Sequence, residues 1–215
     1  MLSIDKILGI ISFTADLMPF LLLCLYFSLL NQKIFAALFC WSIFSLAFDF
    51  FVAISINSHE QQLLAFYSIL AEVLFVSILC MLMVKQKKVL IATILVTLIF
   101  VSMCIYQFRC NGFTTFPDWI AASASVTTLL FCTFIFYDLF VHSKNEFLLN
   151  NPTIYIVFGY IIYAAGNLFL FATTEQFPNI FVEPGLWVIF IIANVFKNIF
   201  FCKAIFDARK LLKKS

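Results

Sequence analysis

The chain is written in long apolar runs separated by short polar breaks. Seven runs approach or exceed the roughly 20 residues that a helix needs to cross about 30 Å of hydrocarbon. They cover residues 7–30, 34–56, 62–84, 89–107, 118–141, 153–174 and 186–206. The breaks are Asn31-Gln32-Lys33, Asn57 to Gln62, Lys85 to Lys88, Arg109 to Pro117, His142 to Pro152 and Thr173 to Pro184. Pro117, Pro152 and Pro184 each stand just ahead of a run, where a helix has no use for the missing backbone N–H. Hydrocarbon offers the backbone no hydrogen-bond partner, so such runs must be helical. The pattern predicts an all-α, polytopic membrane protein. Residues 1–215 form one seven-transmembrane-helix bundle, ending in a basic cytoplasmic tail at 207–215. The first run follows Asp5 and Lys6, is too long for a signal-peptide core and shows no small-residue cleavage site, so it reads as a retained helix.

The breaks also set direction. One side carries Lys33, Lys85, Lys87, Lys88, Lys144, Lys203, Arg209, Lys210, Lys213 and Lys214, and the other only Lys6 and Arg109. Basic residues stay on the cytoplasmic side, which predicts an N-terminus outside, a C-terminus in the cytoplasm and a multi-pass protein of the plasma (inner) membrane. The basic tail then lies against anionic headgroups or serves a cytoplasmic signalling partner. An odd number of spans and the lack of an internal repeat argue against an inverted-repeat transporter.

Composition agrees. The chain is 64% hydrophobic, 11% charged and contains thirty phenylalanines, with a mean hydropathy of +1.09. Soluble domains carry about a quarter charged residues, so the bilayer is the one partner the composition requires. Nucleic-acid modules and phosphate loops are absent. The two histidines, His59 and His142, fall in breaks on opposite sides, which excludes a histidine-bound zinc hydrolase. Neither GxSxG nor HExxH occurs, and an aspartyl mechanism at Asp16 or Asp49 has no motif behind it, so no catalytic or metal-ligating residue is assigned. Seven cysteines, spread mostly through the apolar runs without CxxC spacing, read as small packing residues; Cys110 falls in a break.

The informative residues are the polar ones at membrane depth, where each ionisable group costs about 2.5–3.5 kcal/mol on insertion scales. Asp16, Asp49, Glu72, Asp138 and Lys197 lie inside runs. Asp138 is close enough to its run's cytoplasmic end to reach the interface. At about 1.5 Å per residue, Glu72 and Lys197 lie roughly 15 Å from the outer ends of their runs, Asp16 at nearly that depth and Asp49 roughly 10 Å in. Asn167 and Asn194 fall in the same layer, and Asn194, Lys197 and Asn198 share one face of the seventh helix. One reading is a packing network in which Glu72 or Asp49 neutralises Lys197. The other is an outward-facing polar pocket with an acidic surplus, suited to a cation or proton. Gly159 and Gly166, beside Ala164 and Ala165, permit a close helix approach, and Pro19 interrupts the first helix just below Asp16. Trp41, Trp119, Trp187, Tyr106 and Tyr155 read as interfacial anchors.

A lysine midway along the seventh helix, with Glu72 at similar depth in the third, resembles the retinal site of microbial rhodopsins. That resemblance implies a retinal cofactor bound at Lys197, with Glu72 as counter-ion. The sequence departs from it at Ala193, where many rhodopsins have aspartate, and along Gly159-Tyr160-Ile161-Ile162-Tyr163-Ala164-Ala165-Gly166-Asn167, which lacks their tryptophan-rich wall. Across its length, especially at Gly166-Asn167-Leu168-Phe169-Leu170-Phe171 and Asn194-Val195-Phe196-Lys197-Asn198-Ile199, the chain is similar to small bacterial seven-helix proteins linked to sensor histidine kinases. That similarity implies sensing, with the kinase on another chain. The reading that follows is a receptor module binding a small molecule or lipid through Asp16, Asp49, Glu72, Asn167, Asn194, Lys197 and Asn198. Its alternatives are a retinal photoreceptor or proton-coupled carrier built on Lys197 and Glu72, and a structural membrane subunit.

Overall fold

The structure, a computed structural model, describes residues 4–54, 58–111, 118–142, 151–174 and 184–213. Pro117, Lys144 and Lys214 lie outside these residues. The described chain is all-α. Its helices are α1 (Ile4–Leu25), α2 (Lys33–Ile54), α3 (Ser58–Met83), α4 (Lys87–Asn111), α5 (Asp118–His142), α6 (Thr153–Thr174) and α7 (Pro184–Leu212), with a 3-10 turn at Phe27–Asn31 joining α1 to α2. Pro184 opens α7 and Pro152 stands just ahead of α6, as their missing N–H groups favour.

Six of these helices, α2 to α7, are long and apolar enough to cross a membrane. In α1 the apolar stretch among the described residues is Gly9–Leu25, because the 3-10 turn takes residues that the hydrophobic pattern alone assigns to the first span. Large apolar side chains point outward along the helices, among them Ile91, Leu95, Leu98 and Ile99 of α4 and Phe140 of α5. Exposed apolar surface on this scale suits lipid rather than water.

Neighbouring helices pack in the order α1, α2, α3, α5, α6, α7 and back to α1, closing a ring; α4 lies outside it against α3 and α5. The tightest seam is α6 on α7. A β-carbon on Gly159 would stand 2.9 Å from the Lys197 carbonyl oxygen, and one on Gly166 would stand 2.9 Å from the Ala193 β-carbon. The two glycines of α6 therefore face Lys197 and Ala193 of α7 in reverse chain order, as in antiparallel helices in close approach.

Four further expectations meet a different structure. Trp41 is no interfacial anchor: it is 8% exposed and stacks on Phe75 at 4.8 Å, because its face of α2 looks into the ring. Cys110 belongs to the last turn of α4 rather than a break. The start of the basic tail continues α7 to Leu212, where Asp207 pairs with Lys203 at 2.7 Å and Lys210 at 3.5 Å and Arg209 lies 3.9 Å over the Tyr26 ring. Asp138 does not escape to the interface. It is 2% exposed, and its carboxylate accepts the backbone N–H groups of Lys85 and Gln86, each at 3.0 Å. Those two residues lead into α4, so Asp138 of α5 supplies a cap that the α3–α4 turn lacks locally.

Candidate polar site inside the helix ring

The interior of the ring has an aromatic floor and a polar layer above it. The floor runs from Trp41 to Phe75, from Phe75 to Tyr160 at 6.4 Å and from Tyr160 to Phe201 at 5.3 Å, linking α2, α3, α6 and α7. It lies toward the lysine-rich ends of the helices. Tyr160 and Phe201 are each 1% exposed, so the floor separates the polar layer from that end. Three residues, a rise of about 4.5 Å, carry α6 from Tyr160 up to Tyr163.

At one side of the layer α7 meets α1. Asp16 Oδ1 accepts from Asn198 Nδ2 at 2.6 Å, and Asp16 Oδ2 accepts from Asn194 Nδ2 at 3.2 Å. Asn194 Nδ2 also reaches Ser12 Oγ at 3.1 Å, and Asn198 Nδ2 reaches the Asn194 carbonyl at 3.1 Å. The i, i+4 spacing of the two asparagines puts both amides over one carboxylate. Asp16 is thereby satisfied at both oxygens, and the donor capacity of both amides is directed into this corner.

At the other side α7 meets α6 and α3. Lys197, 4% exposed, holds its ammonium 4.2 Å from the centre of the Tyr163 ring. The Tyr163 hydroxyl donates to Glu72 Oε2 at 3.3 Å and also meets the side chain of Asn167. Lys197 and Glu72 are thus joined through a tyrosine. Among the described residues the ion pairs are Lys203–Asp207 and Lys210–Asp207, with His142 also 3.5 Å from Asp138, and Lys197 is in none of these contacts. Asp49 faces Asp16 and lies within electrostatic range of Lys197.

Asp16, Asp49, Glu72, Asn167, Asn194, Lys197 and Asn198 therefore line one interior region contributed by α1, α2, α3, α6 and α7. The structure adds Ser12, Tyr160 and Tyr163. Tyr163 had a signal in the sequence, since it precedes Asn167 by one helical turn, but a tyrosine in an aromatic-rich helix does not stand out. Asp49 Oδ2, Glu72 Oε1, Asn167 Oδ1 and the Tyr160 hydroxyl are buried without a hydrogen-bond partner among the described residues. Buried polar groups are normally paired, and four orphans in one layer call for an explanation. No group of three or more His, Cys, Asp or Glu suited to a metal ion occurs among the described residues. No family model, curated protein or solved structure matches the chain.

Proposed function

We propose that this protein is a seven-helix membrane receptor module that binds a small molecule in its interior polar layer and relays occupancy along α7. In this reading all seven helices cross the plasma membrane, the N-terminus is outside and the lysine-rich ends face the cytoplasm, as the distribution of basic residues favours. The aromatic floor blocks the layer on the cytoplasmic side, so ligand enters from outside.

The observation that carries the reading is the set of four buried polar atoms without partners among the described residues, around a buried lysine. A network kept only for packing gains nothing from unpaired acceptors, each of which costs about 1–3 kcal/mol. A binding site keeps them for a ligand. α7 supplies the relay: one unbroken helix joins Asn194 and Lys197 to Asp207, Arg209 and Lys210. A shift of α7 at the layer therefore reaches the basic end, where a cytoplasmic signalling partner would read it.

The test is the thermal stability in detergent of Lys197→Met against wild type. A lysine held for a ligand leaves the variant as stable as wild type or more so. A loss of about 3–5 kcal/mol, the cost of leaving buried charge without compensation, would assign the layer to packing instead.

A further inference from the structure

We propose that the polar layer takes a small primary ammonium, a protonated alkylamine, and that the Lys197 side chain occupies part of this subsite until the ligand displaces it. The proposal rests on the reading of the layer as a binding site and names its ligand class.

Hydrogen-bond capacity points first to a donor. Asp49 Oδ2, Glu72 Oε1 and Asn167 Oδ1 are acceptors without partners, and the Tyr160 hydroxyl can also accept. The amides of Asn194 and Asn198 are already turned toward Asp16, Ser12 and each other. A carboxylate or phosphate would bring further acceptors to a place rich in them, and an apolar ligand would leave the orphans as they are. A primary ammonium brings three N–H donors and no acceptor.

Charge points the same way. Three carboxyl groups, Asp16, Asp49 and Glu72, stand around one lysine in the layer, and Asp49 meets Asp16 side chain to side chain, so a cation placed among them is favoured over an anion. The layer also displays its cation subsite in use: the Lys197 ammonium lies 4.2 Å over the Tyr163 ring, the geometry by which aromatic faces hold ammonium groups. That ammonium faces the ring and takes no part in the ion pairs among the described residues. Lys197 is thus a tethered primary ammonium in a site with acceptors to spare. An untethered amine could lie over the same ring and reach the free oxygens.

The experiment is thermal unfolding of the purified full-length protein in detergent with n-butylammonium chloride, compared with equal sodium chloride and with 1-butanol. The expected result is a saturable rise in midpoint of about 2–4 °C at roughly five times the dissociation constant, absent with the salt and the alcohol. Glu72→Gln and Asp49→Asn should each weaken apparent affinity about tenfold or more, and Tyr160→Phe provides a milder variant should those not fold. Lys197→Met, with the tethered occupant gone, should bind n-butylammonium more tightly. No saturable rise in wild type, or an equal rise with 1-butanol, overturns the proposal. If that failure accompanies a stable Lys197→Met, the ligand class is wrong and the binding site stands. If it accompanies a sharply destabilised Lys197→Met, both fall. An amine that restores Lys197→Met yet leaves wild type unmoved marks the lysine as a structural occupant and also overturns the proposal.

Discussion

Gly159 lies directly against the backbone of Lys197: an added β-carbon would meet its carbonyl oxygen at 2.9 Å, its α-carbon at 3.3 Å and the Phe200 β-carbon at 3.3 Å. Two of these atoms are α7 backbone and cannot rotate away. Gly159→Ala must therefore part α6 from α7 at the point that carries the buried lysine. Overpacking of this kind costs about 1–3 kcal/mol, read as a lower midpoint in detergent. Gly166 provides the control, because its obstacle is a side chain, the Ala193 β-carbon. Ala193→Gly should relieve the clash in Gly166→Ala, whereas a truncation at Phe200 should not rescue Gly159→Ala. Equal rescue at both sites would mean that the seam is held by side chains and not by backbone contact.

Asp138 makes a second prediction. Its carboxylate caps the turn before α4 through two backbone N–H groups, while His142 approaches it at 3.5 Å from a half-exposed position. Removing a charged acceptor from buried donors costs about 1.5–3 kcal/mol. Asp138→Ala should lose about that much, and amide exchange at Lys85 and Gln86 should quicken while α6 and α7 stay protected. Asp138→Asn should fall between, since its amide offers one acceptor and turns N–H groups toward the other donor. His142→Ala should change little. Unchanged exchange at Lys85 and Gln86 in Asp138→Ala would refute the cap.

The helices were legible in the sequence because lipid imposes a coarse rule: about 20 apolar residues and no unpaired backbone. The same rule exposed the polar layer, since Asp16, Asp49, Glu72 and Lys197 have no other way to stand out as they do. Partners were harder to read. Depth along a run gives a layer but not a facing direction, so Glu72 was equally placed to pair with Lys197 directly or, as it does, through Tyr163. Trp41 and Asp138 were misread for a related reason. Both lie near span ends, where the interface is the default destination; ring closure turns Trp41 inward, and the α3–α4 turn covers Asp138 by taking it as a cap. Hydropathy also does not mark where the 3-10 turn at Phe27–Asn31 begins, because Phe27, Leu29 and Leu30 are as apolar as the helix it ends.

Tyr163 separates two interactions that the sequence did not resolve. Its hydroxyl serves Glu72 and its ring carries the Lys197 ammonium. Tyr163→Phe removes the first alone, at about 0.6–1.7 kcal/mol by comparison with hydrogen bonds in other membrane proteins. Tyr163→Leu removes both together with the ring's packing on Phe190, and a desolvated cation–π contact adds about 2 kcal/mol to that loss. The leucine variant should therefore unfold at a clearly lower temperature than the phenylalanine variant. Equal midpoints would show that the ring does not hold the cation, and would weaken the case for an ammonium subsite.

The orientation can be decided with a thiol the protein already has. Cys110 is exposed in the last turn of α4, beside Arg109, at the end opposite the lysine-rich turn that opens the same helix. Cys24 and Cys40 are exposed too, but they sit within the apolar faces of α1 and α2, where lipid shields a thiol from water and keeps it from ionising. Cys80, Cys104 and Cys132 are buried. If the N-terminus is outside, α4 ends outside, and a membrane-impermeant maleimide added to intact cells should label the wild-type protein but not Cys110→Ser. Labelling that appears only after the membrane is opened, and is still lost in Cys110→Ser, would place that end of α4 in the cytoplasm. It would also reverse the direction from which ligand reaches the polar layer, because the aromatic floor would then close the layer on the outer side.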